Sequence, residues 1–230
     1  LGFVAGHLAG TRAKVVHSTD AASWAMVNLS RLCWSETACE IAGVDISILP
    51  EISQDITEVA DDSGVFCGIG DHQASLLGSS LEPDWLSVNL ATGGQVSVLA
   101  GGLSKTTQTR PYFGDAFGGK YLHTVTHLPA GRALATDLSA RRGFLDWNWL
   151  ASAGPDALPA LSKIVDGIVE ATSRITSRRL PVVFSGGLVQ RLPGLQQRIA
   201  QELGTSEVRA MNGSESALEG LAKLLPQMAG

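Results

Sequence analysis

From Leu158 to Leu225 the sequence switches between helical and extended patterns, and that order limits the fold more than any other feature. "LPALSKIVDGIVEATSRI" places Leu161, Ile164, Val165, Ile168, Val169 and Ile175 on one face, which predicts an amphipathic helix. "LPVVFSGG" follows, a β-branched and aromatic run closed by glycines, and predicts a strand. Helical spacing returns in "LPGLQQRIAQEL" with Leu195, Ile199 and Leu203. "EVRAM" then reads as a second strand and "GSESALEGLAKLL" as a capped helix. Helix–strand–helix–strand–helix in this order predicts an α/β layer around a mixed sheet.

Ahead of this region, "DWLSVNLATGGQVSVLAGG" alternates apolar and polar residues on both sides of "ATGG". Val88 and Leu90, then Val96, Val98 and Ala100, mark a β-hairpin with glycines at its bend. "TRPYFGDAFGGKYLHTVTHLPAG" reads as loop and strand. Residues 18–33 carry Ala22, Ala25, Leu29 and Leu32 at three- to four-residue spacing and predict a helix. A shorter helix is expected over Thr37–Ala42, stopped by Gly43. "ILPEI" and "DITEVADDSG" read as a loop leading to a short strand, "VFCG".

Charge and composition exclude some classes of function. A formal net charge of −5, with Arg141-Arg142 and Arg178-Arg179 as mere pairs, does not make a nucleic-acid surface. No apolar run has the roughly 18 residues a membrane span needs. The opening "LGFVAGHLAG" lacks a basic start, so a signal peptide is not expected. Cys33, Cys39 and Cys67 are odd in number and lack CxxC spacing, which reads as reduced, buried thiols in a cytoplasmic protein. The first residue is Leu rather than Met, and the sequence opens in what reads as mid-helix, so a fragment of a longer protein is expected.

Candidate chemistry centres on "GIGDHQASLLG", which sets Asp71 on a glycine-flanked turn before a small-residue helix. Asp71 suits a helix cap, a metal ligand or a general base, and by itself the stretch favours the cap. Downstream, "NLATGG" and "VVFSGG" place glycines beside strands, where backbone N–H groups approach a phosphate with no Cβ in the way. Either motif alone is more readily an ordinary turn, whereas the two in this order after Asp71 are harder to dismiss. His123 and His127 have the i,i+4 spacing of a zinc pair on a helix, but Thr124, Val125 and Thr126 favour a strand, so no metal site is expected. His7 and His17 have no informative neighbours in sequence. No nucleophile elbow or Ser-His-Asp set is evident. The five Trp residues, including two in "DWNW", read as packing residues.

Taken together, "GIGDHQASLLG", "VNLATGGQVSVL", "VVFSGGLVQRLPGL" and "GSESALEG" stand in the order found in FGGY-type carbohydrate kinases, and the chain resembles that family over nearly its whole length. "AGHLAG…HSTDAASW" is similar to a stretch late in the first domain of those kinases. "VVFSGGLVQRLPGL" with "RPYFG…GKYLHTVTHLPAG" looks most like the sedoheptulokinase branch. The resemblance implies an actin-like ATPase (ribonuclease H-like) α/β fold with a mixed sheet, in which ATP and sugar meet in a cleft. It implies that Asp71 is the base activating the acceptor hydroxyl and that His72 touches the sugar. Thr92 and Gly93 become phosphate contacts, with Ala91 in place of a frequent glycine. Gly186 and Gly187 become nucleotide contacts, and Arg191 a contact to adenine or ribose. ATP and Mg²⁺ are the implied cofactors.

One departure bears on activity. The family's N-terminal Asp-x-Gly-Thr turn, which holds phosphates and Mg²⁺, does not occur in this sequence. The expected organisation is therefore the end of a sugar-binding domain over residues 1–79 and a nucleotide-binding domain over residues 80–230. The first domain is thereby expected to be incomplete, and little kinase activity is expected from this chain alone. A ketose acceptor, sedoheptulose among the candidates, is the partner implied, and a homodimer is compatible with the sequence. The alternatives are a degenerate, non-catalytic nucleotide-binding module and an actin-like ATPase of chaperone or filament type, which would have no use for the Asp71 segment.

Overall fold

The computed structural model describes residues 2–142, 147–153, 158–211 and 216–228. The start of "GSESALEG" and Asp146 of "DWNW" therefore lie outside the described residues. The chain runs through α1 (Gly2–Leu8), β1 (Val15–His17), α2 (Ser18–Ala21), β2 (Val27–Asn28), β3 (Cys33–Trp34), α3 (Glu36–Ala42) and β4 (Glu51–Ser53). Next come α4 (Asp71–Gly78), the strands β5 (Leu86–Leu90), β6 (Gly94–Ala100), β7 (Gln108–Gly114) and β8 (Gly119–Leu128), and α5 (Gly131–Arg142). It closes with α6 (Trp147–Ala153), α7 (Pro159–Ile175), β9 (Val182–Ser185), α8 (Gly187–Arg191), α9 (Pro193–Leu203), β10 (Val208–Ala210) and α10 (Ser216–Met228).

Six strands form one mixed sheet in the order β10-β9-β5-β6-β8-β7. β9 runs parallel to both β10 and β5, while the β5–β6 hairpin, β8 and β7 pair antiparallel. Side chains alternate between two cores, as the two-residue period of a strand requires. Val182 and Phe184 of β9 join one apolar cluster with Leu161, Ile164 and Ile168 of α7 and Leu195 and Ile199 of α9. Val183 points the other way, into a second cluster with Leu76 and Leu77 of α4, Trp85 and Leu224 of α10. β9 is buried along its whole length, so it reads as a continuous apolar run rather than an alternating one. The predicted hairpin and the helices and strands after Leu158 are all present.

Close backbone contact seats α10 on α4. A Cβ on Gly78 would lie 1.8 Å from the Ser216 carbonyl oxygen, and one on Gly220 would lie 1.9 Å from that of Ala74. Only glycine permits this approach. Lys223 closes the junction, its ammonium donating to the carbonyls of Leu77 and Gly78 and to Ser80 Oγ at the end of α4. A cation there complements the helix dipole and satisfies terminal carbonyls.

The first 60 residues depart most from expectation. Residues 18–33 do not form one helix: α2 ends at Ala21, a 3₁₀ turn covers Ala22–Trp24, and β2 and β3 make a small hairpin. Asn28 Oδ1 accepts the N–H groups of Ser30 and Arg31, building a turn that overrides the apolar period. Ala25 adopts the left-handed region, and Trp34 is fastened by its indole N–H to the Pro50 carbonyl at 2.6 Å. Glu51 and Ile52, read as loop, instead belong to β4, which pairs parallel with β1. "VFCG" supplies only a single bridge between Glu58 and Phe66. Cys39 and Cys67 are buried, but Cys33 is exposed because it sits on the short β3, and all three are free. α3 appears as predicted, capped by Ser35 Oγ and ended by Gly43 at φ 67°.

Candidate active site

The parallel strands β5 and β9 end side by side, with Asn89 opposite Ser185. Both glycine turns lie just beyond these carboxyl ends, the position where open α/β sheets receive ligands. In the hairpin turn, Ala91 O and Thr92 O accept the N–H groups of Gly131 and Arg132 at 3.0 and 2.9 Å. The carbonyls are thereby turned onto α5, while Thr92 N–H and Gly93 N–H have no acceptor among the described residues. A Cβ on Gly93 or Gly187 would meet nothing within 4 Å. Gly186 is different: at φ 96° it presses against Leu90 O and Asn89, so the second turn is locked to the end of β5. These exposed amides beside open space suit a phosphate group.

A cleft of about 800 Å³ opens from the hairpin turn, lined by Thr92, Gly93, Arg132, Thr136 and Lys163 among others. Its size lies in the range of small-molecule sites. Arg132 and Lys163 add positive charge there, and the sequence reading did not single them out. Both stand on helices with no motif around them. Gly186, Gly187 and Arg191 do not line this cleft; Arg191 ends α8 and is exposed.

Asp71 and His72 open α4 and face a separate polar cavity of about 300 Å³, with Ser75, Asn89, Gln95, Arg110 and Thr126. Gly70, not Asp71, is the N-cap of α4; Asp71 is its first helical residue and accepts the His72 N–H at 2.7 Å. The capping role weighed for Asp71 is thus held by the glycine, and its exposed carboxylate is available to the cavity. Asn89 links the two regions, since it lines this cavity and abuts Gly186.

His72 is held by a hydrogen bond from the Gln95 amide and one shared with the Ser97 hydroxyl, both on β6, with Thr124 of β8 behind them. Burial, then the neighbouring Arg110 guanidinium, push its pKa down to about 4, against the opposite pull of Asp71. At neutral pH the imidazole is uncharged, and the formal charges lining the cavity are Asp71 and Arg110. Arg110 Nε is buried with no hydrogen-bond partner among the described residues, an unusual state for a charged group beside a polar cavity. Arg110 sits on the edge strand β7 and reaches the cavity only through the sheet order, so no local pattern marks it.

His123 and His127 both lie on β8, as the strand reading required, and His123 Nε2 bonds the Gly102 carbonyl at 2.8 Å. Among the described residues no group of three His, Cys, Asp or Glu side chains could hold a metal ion. No described helix is long and apolar enough to cross a membrane. Trp85 packs in the second core under the Arg209 guanidinium.

No protein-family model matches the sequence, and no curated protein matches it at a significant level. Solved structures do. A xylulose kinase from Lactobacillus acidophilus superposes with a TM-score of 0.76 at 16% identity, over 100% of this chain and 58% of that one. A glycerol kinase from Plasmodium falciparum, solved with ADP, gives 0.75 at 16% identity, over 97% and 56%. The activator of 2-hydroxyisocaproyl-CoA dehydratase from Clostridium difficile, with bound ADPNP, gives 0.51 at 13%, over 84% and 80%. The likeness shows the fold: an α/β actin-like ATPase fold with a mixed sheet, shared with sugar kinases. The chain spans less than three fifths of the length of the two kinases.

Proposed function

We propose that this chain is part of an ATP-dependent carbohydrate kinase and carries its catalytic base and phosphate-binding turns. The observation that supports this most directly is the polar cavity at Asp71, joined through Asn89 to two glycine turns at the ends of β5 and β9. In this reading residues 1–79 close a sugar-binding domain and residues 80–230 form the nucleotide-binding domain. The acceptor is a ketose, sedoheptulose being the one its motifs favour.

ATP supplies the γ-phosphoryl group when bound. Thr92, Gly93, Gly186 and Gly187 would hold its phosphates, and Arg191 its adenosine end. The open space at Gly93 and Gly187 and the unpaired turn amides fit that ligand. For Mg²⁺ the fit is poorer. Among these residues only Asp71 offers a carboxylate, and it faces the acceptor cavity; no site for the ion is assigned to this chain. The Asp71 carboxylate would accept the acceptor hydroxyl proton as that oxygen takes the phosphoryl group and ADP departs. Neutral His72, fixed by Gln95 and Ser97, orients the sugar. Phosphoryl transfer needs positioning and charge stabilisation above all, and these residues supply the acceptor side of it.

The test is Asp71→Asn in the complete kinase. Nucleotide affinity should stay within about twofold, while kcat for ketose-dependent ADP release falls by at least about 10²-fold. Unchanged turnover would reject the base assignment.

A further inference from the structure

The turn that presents Asp71 is anchored by a segment 51 residues away. Gly70 N–H donates to Thr19 Oγ1 at 3.0 Å, and Thr19 Oγ1 lies 2.7 Å from His17 Nδ1. His17 Nε2 lies 3.0 Å from the Gln54 carbonyl oxygen. A carbonyl only accepts, so the ring proton is on Nε2 and Nδ1 is an acceptor. Nδ1 also receives the Thr19 N–H at 3.3 Å, a second donor that a proton on Nδ1 would oppose. Thr19 therefore gives its hydroxyl proton to His17 and a lone pair to Gly70. The hydrogen bonds run in one direction from Gly70 to Nδ1, and the same neutral tautomer leaves Nε2–H for Gln54.

Burial makes this chain hard to replace. His17 is 0% exposed and Thr19 3%, so water has little access to either group. The imidazole also packs against Phe113 of β7, centroids 5.5 Å apart. Burial lowers the His17 pKa, in keeping with a neutral ring. The start of α4 offers a local alternative. A Glu or Gln at the third helical position ordinarily reaches back to the N–H of the capping residue. Here that residue is Gln73: its Nε2 donates to the Pro111 carbonyl at 3.1 Å, and its Oε1 lies beside Gly70, 2.2 Å from where a Cβ would stand. The Gly70 N–H nevertheless donates to Thr19 Oγ1.

We propose that Thr19, oriented by His17, is a positioning residue for Asp71: the pair fixes the Gly70 turn and hence the direction in which the carboxylate enters the cavity. The role rests on the reading of Asp71 as the base. Thr19→Val keeps the shape and removes the hydroxyl; Thr19→Ser keeps the hydroxyl. In this chain, ¹⁵N spectra should show His17 as the neutral Nε2–H tautomer. Thr19→Val should speed hydrogen exchange at Gly70 by about tenfold or more, the scale of one lost hydrogen bond. It should also shift the Asp71 carboxyl ¹³C resonance, leave Ile168 unaffected, and be rescued by Thr19→Ser. In the complete kinase, Thr19→Val should lower kcat at least about tenfold at unchanged KM for ATP. In an Asp71→Asn background it should cost nothing more. An Nδ1–H tautomer, unaltered Gly70 exchange, or a full additional loss in the Asp71→Asn background would overturn the proposal. If Asp71→Asn alone leaves turnover intact, the base reading fails and the positioning role with it, whereas tautomer and exchange still report the anchor itself.

Discussion

Gly186→Ala tests the backbone of the second glycine turn. Gly186 has φ 96° and ψ 153°, close to a region that side-chain-bearing residues rarely enter. Holding alanine there costs about 1–3 kcal/mol. The new Cβ would also lie 2.4 Å from Leu90 O and 2.6 Å from its carbonyl carbon. Neither atom can swing away, because Leu90 is fully buried at the end of β5, in the middle of the sheet. Overpacking of this kind adds about 1–3 kcal/mol. A total near 4 kcal/mol should lower Tm by roughly 8–16 °C for a chain of this size. Gly187→Ala is the control. It has ordinary φ and nothing within 4 Å of its Cβ, so stability should stay within about 1 kcal/mol. Its methyl group would project into the space assigned to phosphate, and ATP affinity should fall at least about tenfold. Urea unfolding followed by circular dichroism, with nucleotide titration by calorimetry, separates the two effects. Equal stability of Gly186→Ala and the parent would refute the strain argument. Undiminished ATP binding by Gly187→Ala would refute the cradle.

Other predictions follow from the same geometry. His72 has a pKa near 4 in the fold against 6.5 unfolded, so between these values the unfolded chain binds more protons. Stability contributed by neutral His72 is full above pH 6.5 and falls as pH drops toward 4, by up to about 3 kcal/mol, and His72→Gln should flatten that part of a urea-derived stability profile. Arg110→Met should raise the His72 pKa measured by NMR yet leave it below 6.5, because burial rather than the guanidinium is the larger cause; an unchanged value would separate the two side chains. Gly220→Ala should cost at least about 3 kcal/mol by prising α10 from α4, read as a lower urea midpoint. A neutral effect would show that the two helices do not meet as described.

Local pattern carried well where one element buries one face against a partner close in sequence. α7 was legible because Leu161, Ile164, Val165 and Ile168 keep the helical period and all face the β-sheet core. The β5–β6 hairpin was legible for the analogous reason, with alternation on both sides of a glycine bend. Residues 18–33 were misread because an apolar period of small residues is weak evidence beside the Asn28 turn and the Trp34 anchor to Pro50. The exposed Cys33 was misjudged with them.

For the proposed site, local placement was readable: Asp71 directly before its helix, and glycines at the turns beyond β5 and β9. Their resemblance to one family of kinases is likewise a property of the sequence. What it could not contain was adjacency across the sheet. Arg110 reaches the Asp71 cavity only because β7 falls at the edge beyond β8, and Asn89 joins that cavity to the Gly186 turn only because β9 pairs with β5. His17 looked isolated in sequence and proved to be part of a buried hydrogen-bond chain that passes through Thr19 to Gly70, 51 residues beyond Thr19. Periodicity, caps and turns are short-range effects, which the order of residues records directly. Which distant groups share a cavity or a proton is settled by strand order and burial, which only the tertiary structure supplies.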